Sequence, residues 1–501
     1  MSSNDLRIHN GNTLFLSYTF KKVKLIVKRS YLFFFLIILI GCSDETLIKE
    51  EESESQNLTI FFVNDQHGEL TNFAKIKHIV DEEELKTNVI VACSGDIFSG
   101  NPIVDNHEQK GFPMIDLMNR VGFDISVLGN HEFDYGEAIL KDRINQSQFD
   151  WICANVDMGT SGVPEPLETK TINVGNLKIT FLGLIETSGN GDIPLTHPWR
   201  VKNINFMRPE TVVGQYSEVK EHEQSDLLIA LTHLGHNGFG GILGDFQLAE
   251  QFSFFDLIIG GHSNQLLHEV INGIPVFQAG NDLNYLGKIE LSVKNRSVET
   301  IDYELIDLNA YQDFDLAIKE LIDEYESSMP ELDEVIGYSH LHHPRSSVGC
   351  FYTDALKGDM MVDISFQNTG GIRSSLDEGD ITRREIYEID PFNNGTVNYT
   401  MTVEEIKHFL RSSGSGFYYS GLQINQIGNQ VEIRDANGTV LSDDIDLSVG
   451  INDFIPAIFE SYFPEGRMTF DQTTAESIIS YLEEQENQVN YTECSRFFRY
   501  Q

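Results

Sequence analysis

Five short segments of this sequence combine carboxylate, imidazole and amide side chains with glycine. They are Asn64-Asp65-Gln66-His67-Gly68, Ser94-Gly95-Asp96, Gly129-Asn130-His131-Glu132-Phe133-Asp134, Thr232-His233 and Gly260-Gly261-His262-Ser263-Asn264. Oxygen and nitrogen donors without thiolate suit zinc, manganese, iron or cobalt rather than copper(I). In extended chain, positions two apart point to the same side, so Asp65 with His67, and His262 with Asn264, can each converge on one site. Asp96 stands alone at its position, and one carboxylate can bridge two ions. A single Asp or His of this kind is ordinarily a turn, a cap or a satisfied core group, and His107, His197, His236, His342 and His343 are read in that way. Five such clusters in succession point to a built site.

Each cluster follows an apolar run. The runs are Leu58 to Val63, Val89 to Cys93, Ile125 to Leu128, Trp151 to Ala154, Ile179 to Ile185, Leu227 to Leu231 and Leu257 to Ile259. Near-continuous apolar character marks strands covered on both faces. Stretches of helical periodicity such as Phe112 to Val121 and Pro209 to Glu221 intervene. The pattern predicts an α/β domain with a largely central sheet, whose chemistry collects at the carboxyl ends of its strands.

The five clusters, in this order, resemble the metallophosphoesterase motifs of the 5′-nucleotidase family. The resemblance implies a four-layer α/β/β/α amino-terminal domain, a carboxy-terminal α+β substrate domain and a helix joining them. It also implies two divalent metal ions, zinc, manganese or similar. Asp65, His67, Asp96 and Asn264 would hold one of them; Asp96, Asn130, His233 and His262 would hold the other. Two cations bridged by Asp96 would activate water and clamp phosphate oxygens for in-line attack. His131 would not bind metal. Oriented by Asp134 three residues on, it would protonate the leaving group or stabilise the transition state.

Further along, Asp313 to Ser328 places Phe314, Ile318, Leu321, Ile322 and Tyr325 at helical spacing before Pro330 stops the pattern. This is the expected connecting helix. Beyond it, Phe351-Tyr352-Thr353-Asp354, Gln367-Asn368-Thr369-Gly370-Gly371-Ile372-Arg373 and Asp390-Pro391-Phe392-Asn393-Asn394 resemble the family's second domain, with Thr369 in place of a Gly. Asn368 and Arg373 are the expected substrate contacts, since a guanidinium offers phosphate a two-pronged fork. Arg411, ending the helical stretch Val403 to Leu410, is a second anion-binding candidate, whereas Arg383 and Arg384 are read as capping a helix start. A nucleobase needs aromatic faces on either side. Phe417, in Gly416-Phe417-Tyr418-Tyr419, is the expected first clamp. After Asn452-Asp453-Phe454 the family's glycine-rich aromatic loop is replaced by Pro456-Ala457-Ile458-Phe459-Glu460-Ser461-Tyr462-Phe463, which leaves Phe459, Tyr462 or Phe463 for the second clamp.

Composition sets the outer bounds. The 501 residues carry 35 Lys and Arg against 77 Asp and Glu, a net charge of −42, which argues against a nucleic-acid polymer as partner. Length suggests two domains. The basic residues Lys21, Lys22, Lys24, Lys28 and Arg29 precede an apolar run, Tyr31 to Ile40, too short to span a bilayer. The run ends Leu39-Ile40-Gly41-Cys42, resembling the lipobox of bacterial lipoproteins, in which Cys42 would carry lipid. Ser43 after it resembles an outer-membrane sorting signal. The acidic stretch that follows reads as a solvated tether. Cys93, Cys153, Cys350 and Cys494 are too sparse for a disulfide framework, and Cys93 and Cys153 are expected to be buried thiols.

The sequence therefore predicts a signal peptide over 1–41, a tether over 42–56, a metallophosphoesterase domain over 57–308, a linker helix over 309–334 and a substrate domain over 335–501. The expected product is a lipid-anchored bacterial envelope enzyme, facing periplasm or exterior, that hydrolyses nucleoside 5′-monophosphates, with UDP-sugar hydrolysis as a close variant. The alternatives are a 2′,3′-cyclic-nucleotide phosphodiesterase with 3′-nucleotidase activity, or a non-catalytic nucleotide-binding surface lipoprotein. Oligomeric state is not legible.

Overall fold

The computed structural model describes residues 54–238, 241–484 and 487–501. Cys42, the apolar run before it and all but the end of the tether lie outside these residues. Among the described residues no helix is long and apolar enough to cross a membrane.

Two six-stranded sheets form the amino-terminal part. In one, the parallel strands Gln56–Val63, Asn88–Cys93, Ile125–Val127 and Asp150–Ile152 are extended by the antiparallel pair Tyr285–Lys294 and Ser297–Asp307. In the other, Leu177–Ile185, Leu227–His233, Leu257–Ile259 and Ile274–Ala279 run parallel, with antiparallel edges at Thr169–Val174 and Leu266–Ile271. Alternation along each strand divides the core. Ile60 and Phe62 meet Phe181, Ile229 and Phe277 between the sheets, while Phe61 and Val63 turn outward to Phe73, Ile76, Met114 and Met118 of the helices Phe73–Glu84 and Phe112–Val121. On the far sheet, Leu182, Leu184, Leu228 and Ala230 face Leu248 and Ala249. The result is a four-layer α/β/β/α stack. The apolar runs alone predict a single central sheet. A run buried on both faces does not reveal whether a helix or a second sheet covers each face.

The segment read as helical over Pro209 to Glu221 is broken into Pro209–Val212, Val213–Tyr216 and Val219–His222. The connecting helix is Leu316–Ser327, with the Asp315 side chain accepting from the Ile318 amide at 2.9 Å as its cap. Ile318 and Ile322 join the core beneath the first sheet, whereas Phe314 precedes the helix and is exposed.

The carboxy-terminal part is α+β. Its six-stranded mixed sheet has the order Met468–Thr473, Gly395–Thr402, Asp446–Asn452, Ile364–Asn368, Gly416–Ser420, Phe497–Arg499, and a three-stranded sheet lies beside it. The helix Arg345–Met360 is tied to the chain end by a disulfide between Cys350 and Cys494 and by Asp354, which pairs with Arg496 at 2.6 Å. The sparse cysteines gave no sign of this bridge, which closes a 144-residue separation. Cys93 and Cys153 are buried free thiols. Thr382, not Arg383 or Arg384, caps the helix Arg383–Ile389; the two arginines pair with Glu334 and Glu483, and with Asp333 and Glu326. A positive charge is poorly placed at a helix amino terminus unless carboxylates from elsewhere hold it.

Candidate metal centre and substrate cavity

Strand ends and left-handed turns bring the ligand-type side chains together. Asp65, His67, Asp96, His262 and Asn264 all have positive φ, from 48° to 74°. Extended chain therefore does not aim Asp65 with His67, or His262 with Asn264, as alternation predicts. Both pairs converge because the backbone coils left-handed after the strand, a conformation costing non-glycine residues on the order of 1 kcal/mol each and seen where function demands it. Glycine is required beside them. Gly95 has φ +82° and a Cβ there would lie 2.8 Å from the Gly129 amide nitrogen, while one on Gly129 would collide with the Asp96 carboxylate.

Asp96 belongs to two groupings. His67, Asp96 and His131 place ligand-type atoms within 4.8 Å of one another, and Asp96, His233 and His262 do the same. Asn130 Oδ1 lies 2.9 Å from His262 Nδ1, Asn264 Nδ2 donates to Asp65 Oδ1 at 3.3 Å, and Asp65 accepts from the His262 amide. All seven residues expected as metal ligands thus meet in one place. Burial alone would raise the pKa of Asp96, but His233 and His131 hold it well below the usual carboxylate range. Burial raises Asp65 to about 7. Burial, reinforced by Arg373, keeps the His67 imidazole well below its ordinary value.

Whether this site fits metal is tested by His233. Its Nε2 is fully buried, lies 3.0 Å from Asp96 Oδ2, and is not aligned to hydrogen bond with it or any other described atom. Its Nδ1 donates to the Ser94 carbonyl at 2.6 Å, which leaves Nε2 free for a ligand bond. His233 and Asp96 would together offer a nitrogen and an oxygen donor to a cation, which would satisfy the orphaned imidazole nitrogen. The donor set fits.

Around this floor lies a cavity of about 280 Å³, lined by His131, Asp134, Asn368, Arg373, Phe392 and Phe454 among others. His131 Nδ1 bonds Asp134 Oδ2 at 2.6 Å, and its Nε2 faces Asp96 Oδ2 at 3.9 Å. Burial works against the imidazolium, yet Asp96 and Asp134 raise the His131 pKa. Arg373 Nη2 donates to His67 Nε2 at 3.0 Å.

Two expected substrate contacts lie elsewhere. Phe417 is fully buried in the second domain's core, its ring 4.8 Å from that of Phe409 and 5.9 Å from that of Phe459. Its strand alternates, and the face bearing Phe417 is the one packed on the helix Val403–Ser412. Arg411 pairs with Glu404 of its own helix at 2.7 Å and does not line the cavity. Phe459, Tyr462 and Phe463 likewise pack on that core. The aromatic walls are instead Phe392, stacked 5.5 Å from the His131 ring, and Phe454. Both stood in segments already singled out, Asp390-Pro391-Phe392 and Asn452-Asp453-Phe454, and proximity to the signature residues was the usable signal.

Other contributors were not foreseen. His197, read as bland, lines the cavity and bonds Asp453 Oδ1 at 3.2 Å. Arg200 donates to Asp134 Oδ1 at 3.0 Å and to the Phe392 carbonyl at 3.3 Å. Glu132 accepts from the amides of Asp96, Ile97 and Gly129 at 3.0, 2.7 and 2.5 Å, holding the loop that carries the shared carboxylate.

The four-layer stack thus gathers carboxylates and imidazoles at its strand ends. Residues 58–266 match the calcineurin-like phosphoesterase family, and residues 333–458 match the 5′-nucleotidase carboxy-terminal domain, together about two thirds of the chain. The chain belongs to the 5′-nucleotidase family of metallophosphoesterases. It is 24% identical over 452 residues to a 5′-nucleotidase of Vibrio parahaemolyticus, covering 77% of this chain and 80% of that protein. It is also 24% identical over 461 residues to Endonuclease YhcR of Bacillus subtilis; that match takes in 84% of this chain but spans only 37% of the relative's length. Among solved structures, a 5′-nucleotidase precursor from Thermus thermophilus superposes with a TM-score of 0.77 at 22% identity, covering 88% of this chain and 98% of that one, a likeness of fold.

Proposed function

We propose that the protein hydrolyses phosphate esters with two divalent metal ions, and that its principal substrates are nucleoside 5′-monophosphates, released as nucleoside and phosphate. The observation that carries this reading is the gathering of His67, His233 and His262 around Asp96 at the floor of a cavity also lined by Arg373, Asn368, Phe392 and Phe454. Asp65, His67, Asp96 and Asn264 would hold one ion, and Asp96, Asn130, His233 and His262 the other. Such ions, when bound, supply Lewis-acid chemistry that makes water nucleophilic near neutral pH and offsets charge on phosphate oxygens.

The chain's own residues do the rest. Asp134 fixes the His131 ring through Nδ1, so that a proton held on Nε2 is presented to the departing ester oxygen. Arg200, bonded to the other Asp134 oxygen, keeps that carboxylate in place. Arg373 and Asn368 orient the phosphate, and Phe392 and Phe454 offer π-faces to the base. The cavity, at the small end for ligand sites, suits a mononucleotide-sized group and not a duplex. The family's activity on UDP-sugars would use the same floor.

We place the enzyme in a bacterial cell envelope, anchored at the outer membrane by lipid on Cys42; palmitate labelling lost on Cys42→Ala would support this. The functional test is metal-depleted protein reconstituted with manganese or zinc and assayed on AMP, UDP-glucose, 2′,3′-cyclic AMP and p-nitrophenyl phosphate. Phosphate release fastest from AMP is expected. No release from any of them with both ions bound would overturn the reading in favour of a binding protein.

A further inference from the structure

The segment His197-Pro198-Trp199-Arg200 belongs to the amino-terminal part, yet it grips both aromatic walls of the cavity, which the carboxy-terminal part supplies. His197, almost fully buried, bonds Asp453 Oδ1 at 3.2 Å and sets its ring edge-on to that of Phe454, 5.3 Å away. Arg200 reaches the other wall, donating from Nη2 to the Phe392 carbonyl at 3.3 Å. Its Nη1 donates to Asp134 Oδ1 at 3.0 Å, and Thr196 Oγ1 approaches the same oxygen at 3.5 Å. One guanidinium therefore joins a base wall to the carboxylate that fixes His131. The pair is sheltered, with the Arg200 side chain 13% and the Asp134 side chain 7% exposed, so salt screens it little. Phe392 meets the same dyad a second way: its ring lies over that of His131, 21° from parallel, with centroids 5.5 Å apart.

These contacts do more than hold Asp134 still. A guanidinium is a planar, rigid fork, so displacing one of its nitrogens displaces the other. Phe392 and Phe454 are only half-buried, and a base stacked between them completes the packing of both rings. A base that fixes Phe392 then fixes Asp134 through Arg200, and fixes the His131 ring by direct contact. We propose that Arg200 is a positioning residue that ties base occupancy to the catalytic step, so that base-bearing phosphate esters react faster at saturation and are not only bound more tightly. Interaction with a remote group is then expressed at the reacting centre and raises kcat, whereas uniform binding would lower KM alone. This role rests on the hydrolytic reading above for its reaction, and on the contacts of Arg200 for its path.

AMP and ribose 5-phosphate share the same C5′ leaving oxygen, so a difference in their rates at saturation does not come from the leaving group. In single-turnover experiments on the metal-loaded full chain, AMP should react about tenfold faster than ribose 5-phosphate, within the worth of one stacked base. Arg200→Ala should bring the two rates together. Arg200→Lys, which keeps the charge but not the fork, should do the same, and it decides the matter where Arg200→Ala does not fold. p-Nitrophenyl phosphate, whose leaving group needs no proton, should lose least in either variant. Equal rates for AMP and ribose 5-phosphate in the unaltered enzyme, or an unchanged ratio in a folded variant, would overturn the link while AMP hydrolysis leaves the hydrolase standing. Equal losses on all three esters would mark Arg200 as structural and overturn the link as well. No hydrolysis of any ester with both ions bound would sink the hydrolase and this role together.

Discussion

The five strand-end loops of the amino-terminal part and the aromatic segments of the carboxy-terminal part both shape one cavity, but they are built under different constraints. Ligand positions tolerate few residue types, and the loops that hold them need glycine where a Cβ would strike a carboxylate, as at Gly129 beside Asp96. The aromatic walls need only a ring on the correct face. Phenylalanine is equally suited to a core, and Phe417 lies in the core while Phe392 and Phe454 line the cavity. Metal chemistry restricts what a position can be; stacking restricts only where it points.

The largest effect should come from the shared carboxylate. Asp96→Asn should cut turnover about 10³-fold or more and reduce bound metal measured by elemental analysis. Full metal content with retained turnover would break the comparison at its strongest point. His131→Ala should lower kcat by about 10²–10⁴-fold with metal content unchanged, so loss of metal in that variant would instead mark His131 as a ligand.

Next come the aromatics, which sharpen the contrast between face and type. Phe392→Ala and Phe454→Ala should each raise KM for AMP about tenfold, within the roughly 1–3 kcal/mol worth of a stacked base, relative to p-nitrophenyl phosphate. Phe417→Ala should instead lower unfolding stability by about 3–5 kcal/mol and leave the KM of the folded enzyme alone. The reverse pattern would return Phe417 to the substrate. Arg411→Ala, which removes only an exposed pair with Glu404, should change stability by less than about 1 kcal/mol and leave KM unaltered.

The smallest effect concerns Glu388, where the two parts approach each other. Burial pushes its pKa up to about 7; Arg384 opposes this, and Glu385, Glu69 and Glu326 add to it. A raised folded value means the fold binds this proton more tightly than the unfolded chain. The stability this proton contributes is present in full below the ordinary value of 4.5 and is lost as pH rises towards about 7. Glu388→Gln should therefore raise Tm by about 1 °C at pH 8, as expected for roughly 1 kcal/mol in a chain of this size, and by nothing near pH 4. A gain of equal size at both pH values would remove ionisation as the cause.

Much of the site was legible because its chemistry is written in residue type and order. Asp65, His67, Asp96, Asn130, His233, His262 and Asn264 all meet at one floor, with His131 and Asp134 beside it. Left-handed turns, not extended-chain alternation, aim Asp65, His67, Asp96, His262 and Asn264. Arg200 and Glu132 escaped notice because each acts on another residue's carboxylate or amides, and a hydrogen bond across 66 positions, such as that from Arg200 to Asp134, leaves no local pattern.

By itself the sequence determined seven apolar strands of the amino-terminal part, the glycine-bordered ligand clusters and the family, because backbone conformation and metal chemistry each admit few residue types. Only the tertiary structure decided that two sheets lie face to face, that Phe392 and Phe454 rather than Phe417 wall the cavity, that His197 reaches Asp453, and that Cys350 meets Cys494. Those outcomes depend on which face of an element another element covers. That is a property of packing between distant segments, which apolar periodicity along one segment does not encode.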